Sequence, residues 1–423
     1  MSNTSSLATR LVVRFGVVYL TLFALATQIS GSLIPNLWFT YRGLGRLWPM
    51  RSVTQWVALT FFGVDVPLDD ISGGETVFFW MQTLWIVIVS VLLAVIWAVL
   101  DRRQRVDGRA PPWFLLAVRL ALAASLLEYG MTKVIPTQFP APPLTALVTP
   151  VGDMTLSALL WTTIGSAPAY QIFSGCIEVL AGILLLVPRT ATLGALLALV
   201  ALMQVLALNM AFDIGVKLVT MHLIAMSLIL LAPAAPQLFQ AVGIRSWRRV
   251  RGEGALSAAE PARHWPKAQL AFGVYLIAML AYINWSFWQV AGGGRPKSAL
   301  YGVWNVERLV VDAQQRPTEQ NDYDRRWRRV IFDEPDAVAF QRTDDSFVRY
   351  GASIDRGSGT IALAKGSSLT WSSRFTFDRT ADNRLSLDGE MDGHRIQVEL
   401  RLVDRSAFPL LNSGFRWVRP HDP

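Results

Sequence analysis

One cysteine, Cys176, and four histidines are all that 423 residues offer in the way of thiolate and imidazole metal ligands. A single thiol excludes an intramolecular disulfide, a Cys-Cys redox pair and any thiolate-built zinc or iron–sulfur centre. His222, His264, His394 and His421 are too scattered for a spaced metal motif, so no metal site is expected. Charge is scarce as well, at 17% of residues against roughly 25% in soluble domains. Phosphate loops, dinucleotide fingerprints and general-base triads are missing, which removes the common nucleotide-dependent chemistries.

Apolar residues are abundant instead, at 52%, and they fall into membrane-length runs. Seven are expected to span a bilayer: residues 11–34, 76–100, 113–135, 170–187, 192–211, 216–231 and 268–290. In the first, Ala24-Leu25-Ala26 has the look of a signal-peptidase site, so a cleaved signal rivals a retained span. Pro111-Pro112 suits the opening turn of the third, and Gly215 breaks the fifth from the sixth. Between the first two spans, residues 36–75 are Trp-rich. Val53, Trp56, Val57, Thr60 and Phe61 recur there at helical spacing, which fits either a helix in the headgroup layer or a loop packed on the bundle.

The net charge of +8 is concentrated in arginine runs beside the apolar segments: Arg102, Arg103, Arg105 and Arg109, then Arg245, Arg248, Arg249 and Arg251. These carry topology information, and no nucleic-acid partner is expected. With a cytoplasmic N-terminus, the 101–111 loop, the Pro188-Arg189 turn and the 245–267 connector all fall on the positive, inner side. An odd number of spans then puts everything after Gly292-Gly293-Gly294 outside. The expected location is a bacterial inner membrane, crossed several times, with a periplasmic C-terminal domain.

From Ala299 the composition becomes charge-balanced and alternating. Strands are expected at 301–311, 327–332, 338–342, 347–354, 360–364, 374–377, 384–387, 396–402 and 415–418, with Asp388-Gly389 and Asp392-Gly393 as turns. The expected architecture is therefore an α-helical integral membrane bundle followed by an all-β domain, an antiparallel meander or barrel. Its parts are 1–110, a two-span segment with a long outer loop; 111–298, a four-helix core, a basic connector and the seventh span; and 299–423, the outer β domain. Gly302-Val303-Trp304 resembles the Gly-x-Trp signature of lipocalins, and both a filled barrel and a lipophile-binding cup stay open. Arg325-Arg326-Trp327-Arg328-Arg329 reads as an exposed strand face or a contact for anionic lipid heads.

Polar residues inside the spans mark the candidate site. An ionisable side chain at mid-bilayer costs about 2.5 kcal/mol or more, so function is the first hypothesis for each. Glu178 falls near mid-span, and Glu128, Tyr129 and Lys133 lie near the outer end of the third span. Gln138 follows in a Pro-rich turn; Asn209, Asp213, Lys217 and His222 flank the break at Gly215. Tyr129 with Lys133, and Asn209 with Asp213, are each one helical turn apart and expected to share a face. A buried carboxylate must pair with a cation or take a proton. Glu178 and Glu128 are thus the candidate catalytic, proton-managing groups, with Lys133 or Lys217 as partner. Tyr129, Lys133, Gln138, Asn209, Asp213, Lys217 and His222 are the candidate ligand-binding residues. Interhelical pairing, with both lysines reaching to the interface, is the structural alternative. Arg119 is expected to reach toward the inner headgroups.

In Tyr129-Gly130 with Lys133, the Gln138-Phe139-Pro140 turn, Phe173 and Gly175 with Glu178, Gly182, Arg189-Thr190, Asn209, Asp213 and Lys217, the core resembles the DoxX family of small bacterial membrane proteins. The resemblance implies a four-helix membrane unit. Its wider group looks related to the DoxD subunit of thiosulfate:quinone oxidoreductase, a methylamine-utilisation membrane protein and the membrane part of vitamin K-dependent gamma-carboxylase. It implies quinone or thiol redox chemistry; the lone cysteine speaks against dithiol chemistry and leaves a quinone as the candidate cofactor. The leading expectation is a quinone- or lipophile-binding component of a redox-linked or envelope-maintenance system, as a subunit of a quinone-linked oxidoreductase or without catalysis of its own. The alternative is a non-enzymatic transporter, lipid-handling protein or scaffold whose outer domain binds a lipophile or a periplasmic protein partner.

Overall fold

A computed structural model describes residues 7–35, 43–66, 75–101, 110–241, 265–316, 326–365, 372–412 and 417–418. The two arginine runs expected to set topology lie outside them, as do Arg325 and the start of the strand expected at 415–418. The chain forms two compact units, one of Met1–Gln138 with Ala169–Phe287, the other of Phe139–Pro168 with Trp288–Pro423.

The first unit is helical. Its elements are α1 (Leu7–Ala26), α2 (Gln28–Leu33), α3 (Met50–Phe62), α4 (Val77–Leu100) and α5 (Pro112–Val134); α6 (Leu156–Gly165) belongs to the second unit. The first then continues with α7 (Pro168–Leu186), α8 (Ala191–Ala211), α9 (Lys217–Leu231), α10 (Ala235–Ala241) and α11 (Trp265–Ala291). Among the described residues, seven helices are long and apolar enough to cross a membrane. Six of the expected spans appear as single helices with ends within three residues of expectation. The first does not. It breaks at Thr27, an extended residue (φ −106°, ψ 176°) between α1 and α2, where the Thr27 hydroxyl donates to the Phe23 carbonyl at 2.8 Å. Hydroxyl side chains compete in this way with the helical ladder. α5 is the centre of the bundle, with 67% of its apolar stretch buried against 17% for α4. Ala121, Ala123, Ala124, Ser125 and Gly130 keep its surface low, so neighbours approach closely, which is how helices associate in lipid.

The second unit holds a closed antiparallel barrel built from β1 (Gly302–Val311), β3 (Trp327–Phe332), β4 (Ala337–Arg342), β5 (Phe347–Asp355), β6 (Thr360–Ala364), β7 (Ser372–Ala381), β8 (Arg384–Met391) and β9 (His394–Leu402); β2 (Gln314–Gln315) is a short ribbon on β1. Pairing of β1 with β9, from Trp304↔Leu402 to Val311↔Ile396, closes it. Alternation fills the inside: Ile396, Val398 and Leu400 of β9 are buried while Arg395, Gln397, Glu399 and Arg401 face out. Trp304, Phe332 and Phe375 join the same inner cluster, so the barrel is packed by its own side chains. The Trp304 indole donates to the Leu300 carbonyl at 2.9 Å, which seats it below the first strand. Outside the barrel, Leu144 packs with Val303, Ile331 and Ala339. Its N–H donates to Asp333 at 2.9 Å, and Gln341 donates to the Val148 carbonyl at 3.1 Å. The Phe139–Pro168 segment, which also carries α6, is therefore part of this unit. A last helical turn, α12 (Pro409–Asn412), follows the barrel.

Asp392-Gly393 makes the expected hairpin turn, with both residues at positive φ (53° and 80°). Asp388-Gly389 does not turn the chain. It lies inside β8, with Gly389 opposite Phe375 and Ile396. A Cβ there would stand 2.3 Å from the Arg374 carbonyl oxygen and 2.6 Å from the Phe375 ring, so glycine serves close approach rather than a turn. Gly389→Ala is expected to destabilise the barrel by about 1–3 kcal/mol through overpacking, read as a lower denaturation midpoint of tryptophan fluorescence in the purified protein. An unchanged midpoint would show that the neighbouring strand yields.

Candidate functional site

Two glycines set the geometry of the bundle's buried charge. Gly130 on α5 and Gly175 on α7 face each other so closely that a Cβ on the first would meet the Gly175 oxygen at 2.9 Å, and a Cβ on the second the Gly130 oxygen at 2.7 Å. The charged residues follow three positions later on each helix, Lys133 and Glu178. The helices run antiparallel, since Ala123 rather than a later residue meets Gly182. Side chains lean toward the N-terminus of their own helix, so in an antiparallel pair they lean toward each other. The outcome is a bidentate contact: Lys133 Nζ lies 2.6 and 2.7 Å from the two Glu178 carboxylate oxygens. Both side chains are buried, at 9% and 3% exposure. Lys133 does not reach to the interface.

Around this pair the polar groups come from a helix that sequence reading did not include in the site. Ser32 of α2 donates to the Glu128 carboxylate, and Gln28, one turn earlier, donates to the Tyr129 hydroxyl. Tyr129 lies within electrostatic reach of both Glu128 and Glu178. Below the turn, Thr132 donates to Gln138 Oε1 at 3.2 Å, and Thr137 donates to Asn284 of α11 at 2.8 Å. Gln28, Ser32 and Asn284 were detectable as polar residues within apolar runs. Their partnership depends on the break at Thr27, which periodicity does not reveal.

The other candidates form a separate set on α8 and α9. Asn209 donates to Thr220 at 3.1 Å, a buried contact between the two helices. Asp213 does not share its face. α8 ends at Ala211, and Asp213 sits past it at φ 53°, exposed and 2.6 Å from Lys217. The Lys217 hydrogen bond and charge hold its carboxyl below the usual carboxylate range. Glu75, just before α4, accepts the Leu218 backbone N–H and so caps the first turn of α9. Burial pushes its carboxyl up, against the lowering effect of that N–H and of Lys217. His222 meets the Tyr19 hydroxyl at 2.7 Å and the Leu218 carbonyl at 2.7 Å, with its ring stacked on Phe23 at 3.5 Å. Arg119 is buried between helices rather than extended to the headgroups, and donates to Gln269 of α11 at 2.9 Å. Among the described residues, no cluster of His, Cys, Asp and Glu could hold a metal ion.

Chemically, the α2–α5–α7 set offers an ammonium in bidentate contact with a carboxylate, beside a second carboxylate and a phenol. Gln28 donates to the phenol oxygen, which leaves the Tyr129 O–H to donate elsewhere.

No family model matches the chain, and no solved structure matches it. An uncharacterised protein, YwoB of Bacillus subtilis strain 168, is 38% identical over 116 residues, which cover 27% of this chain and 71% of that protein.

Removing one partner of a buried pair strands the other charge. Glu178→Ala alone is expected to cost about 3–5 kcal/mol, while Lys133→Met with Glu178→Leu recovers most of it, measured as unfolding midpoints in one detergent. A double variant no more stable than Glu178→Ala would mean that the two side chains act independently.

Proposed function

The chain belongs to the same family as YwoB, and we propose that it is a multi-pass inner-membrane protein that binds a quinone, or another lipophile with a carbonyl or anionic head group, beside Lys133 and Glu178. The observation that carries this reading is the convergence of Glu128, Tyr129, Gln28 and Ser32 on the region of an already satisfied buried ion pair. A pair that only held two helices together needs none of them, and each polar group in hydrocarbon has a cost. In this reading Lys133 donates to a head-group oxygen, Tyr129 donates a second hydrogen bond, and Glu178 and Glu128 accept and release protons. The DoxX-like pattern of the same residues supports membership in a redox-linked or envelope-maintenance system. The positive-inside count puts the N-terminus in the cytoplasm and the barrel in the periplasm.

A second reading assigns the barrel a scaffold role. Its interior is occupied by Trp304, Phe332, Phe375 and their neighbours, which favours work through its outer surface, on a periplasmic protein partner, over a lipophile-binding cup.

The test is the organic extract of detergent-purified protein, wild type beside Glu178→Gln, analysed by mass spectrometry and ultraviolet redox-difference spectroscopy. A near-stoichiometric quinone that falls at least tenfold in the variant is the expected result. Bulk phospholipid alone in both samples would overturn the quinone assignment.

A further inference from the structure

We propose that α3 is a short helix embedded in the bilayer whose exposed sides bind phospholipid, with anionic headgroups gathered at its Arg51 end. Thirteen residues make a helix about 20 Å long, too short for a hydrocarbon core of about 30 Å, so α3 does not cross. One stripe holds it to the bundle. Thr54, Val57 and Ala58 are buried, and the Trp85 indole of α4 donates to the Thr54 hydroxyl at 2.9 Å.

Its remaining sides are what a water-facing helix avoids. Val53, Trp56, Leu59, Phe61 and Phe62 are all exposed, Trp56 at 59% and Phe61 at 66%. At 100° per residue they are spread round the helix instead of forming one apolar face opposite a polar one. The exposed polar positions between them, Ser52 and Thr60, are uncharged. An apolar surface of this extent on a soluble face would be an aggregation liability. Beside it, membrane-crossing α4 exposes Trp80 and Ile88, so the two helices offer the same kind of surface to the same surroundings.

Charge and shape select the occupant. From Gly43 to Val64 the sequence carries Arg46 and Arg51 and no acidic residue. Arg51 stands in the first turn of α3, beside Trp48, an exposed indole of the kind that sits at headgroup level. A second copy of the chain would need one continuous face, whereas acyl chains can fill around several sides at once. Phospholipid meets both requirements, an apolar filling and an anionic phosphate for the guanidinium.

Two experiments on the full-length protein in vesicles of phosphatidylglycerol and phosphatidylcholine test this. With Cys176→Ser as background, a spin label at Phe61→Cys is expected to be more accessible to oxygen than to a water-soluble nickel chelate. Preferential nickel access, or dipolar broadening between labels on two copies, would overturn the proposal. Arg51→Gln is expected to reduce the enrichment of phosphatidylglycerol in the co-purified lipid by about fivefold, the effect of one basic residue at an anionic surface. Arg51→Lys is expected to keep it. Equal enrichment in wild type and Arg51→Gln would overturn the headgroup assignment, and the label experiment does not depend on that variant folding.

Discussion

The close passage of α5 against α7 is the constraint from which the rest of the bundle follows. In lipid there is no hydrophobic drive between helices, so contact area has to come from backbones that approach without intervening side chains. Gly130 and Gly175 permit this. The same approach brings Lys133 and Glu178 into bidentate contact, which neutralises two charges that hydrocarbon would not accept singly. Once that pair is fixed, α5 has to be central, and the helices that pack on it have to present small or polar residues on its side. α2 does so with Gln28 and Ser32, at the place where a continuous first span would have presented its next turn.

The barrel rests on a different principle, closure. An open sheet leaves unpaired edges, and the pairing of β1 with β9 removes them. Strand alternation then decides what lies inside, and large aromatic residues fill it. The Phe139–Pro168 segment leaves α5 and returns to α7 in the chain, yet its Leu144 is an element of the barrel's outer packing. A stretch between two spans would by default be a solvated loop. Here the backbone groups of Leu144 and Val148 find partners on the turn after β3 and on β4, which fixes the proline-rich stretch ahead of α6 against the barrel.

Span positions were legible in the sequence because length and hydropathy alone determine them, and strand positions because alternation survives in a two-sided barrel. Lys133 and Glu178 were each legible as costly residues in hydrocarbon, whereas which carboxylate meets which lysine was not. What could not be read was three-dimensional. Thr27, Gln28, Ser30 and Ser32 interrupt the first apolar run without revealing that the helix breaks there, and Asp388-Gly389 looks like a turn until the Phe375 strand is seen to need the space. Asn209 and Asp213 keep helical spacing on paper, but the helix ends between them.

The separation of the polar residues into two sets bears on where function resides. The Leu218 carbonyl can only accept, so His222 Nδ1 carries the hydrogen and Nε2 accepts from the Tyr19 hydroxyl. With both nitrogens engaged and its ring against Phe23, the neutral imidazole already has a partner for every polar atom. Asn209 likewise donates to Thr220, and Lys217 pairs with Asp213. These contacts close α1, α8 and α9 on one another and ask for nothing further. Around α5 the balance differs. Tyr129 accepts from Gln28 and keeps its own proton to give, within reach of two carboxylates. A hydroxyl proton beside a buried ion pair is what the proposed head-group site calls for. In the proposed reading the ligand-binding role falls on α2, α5 and α7, with α8 and α9 as the frame that holds them.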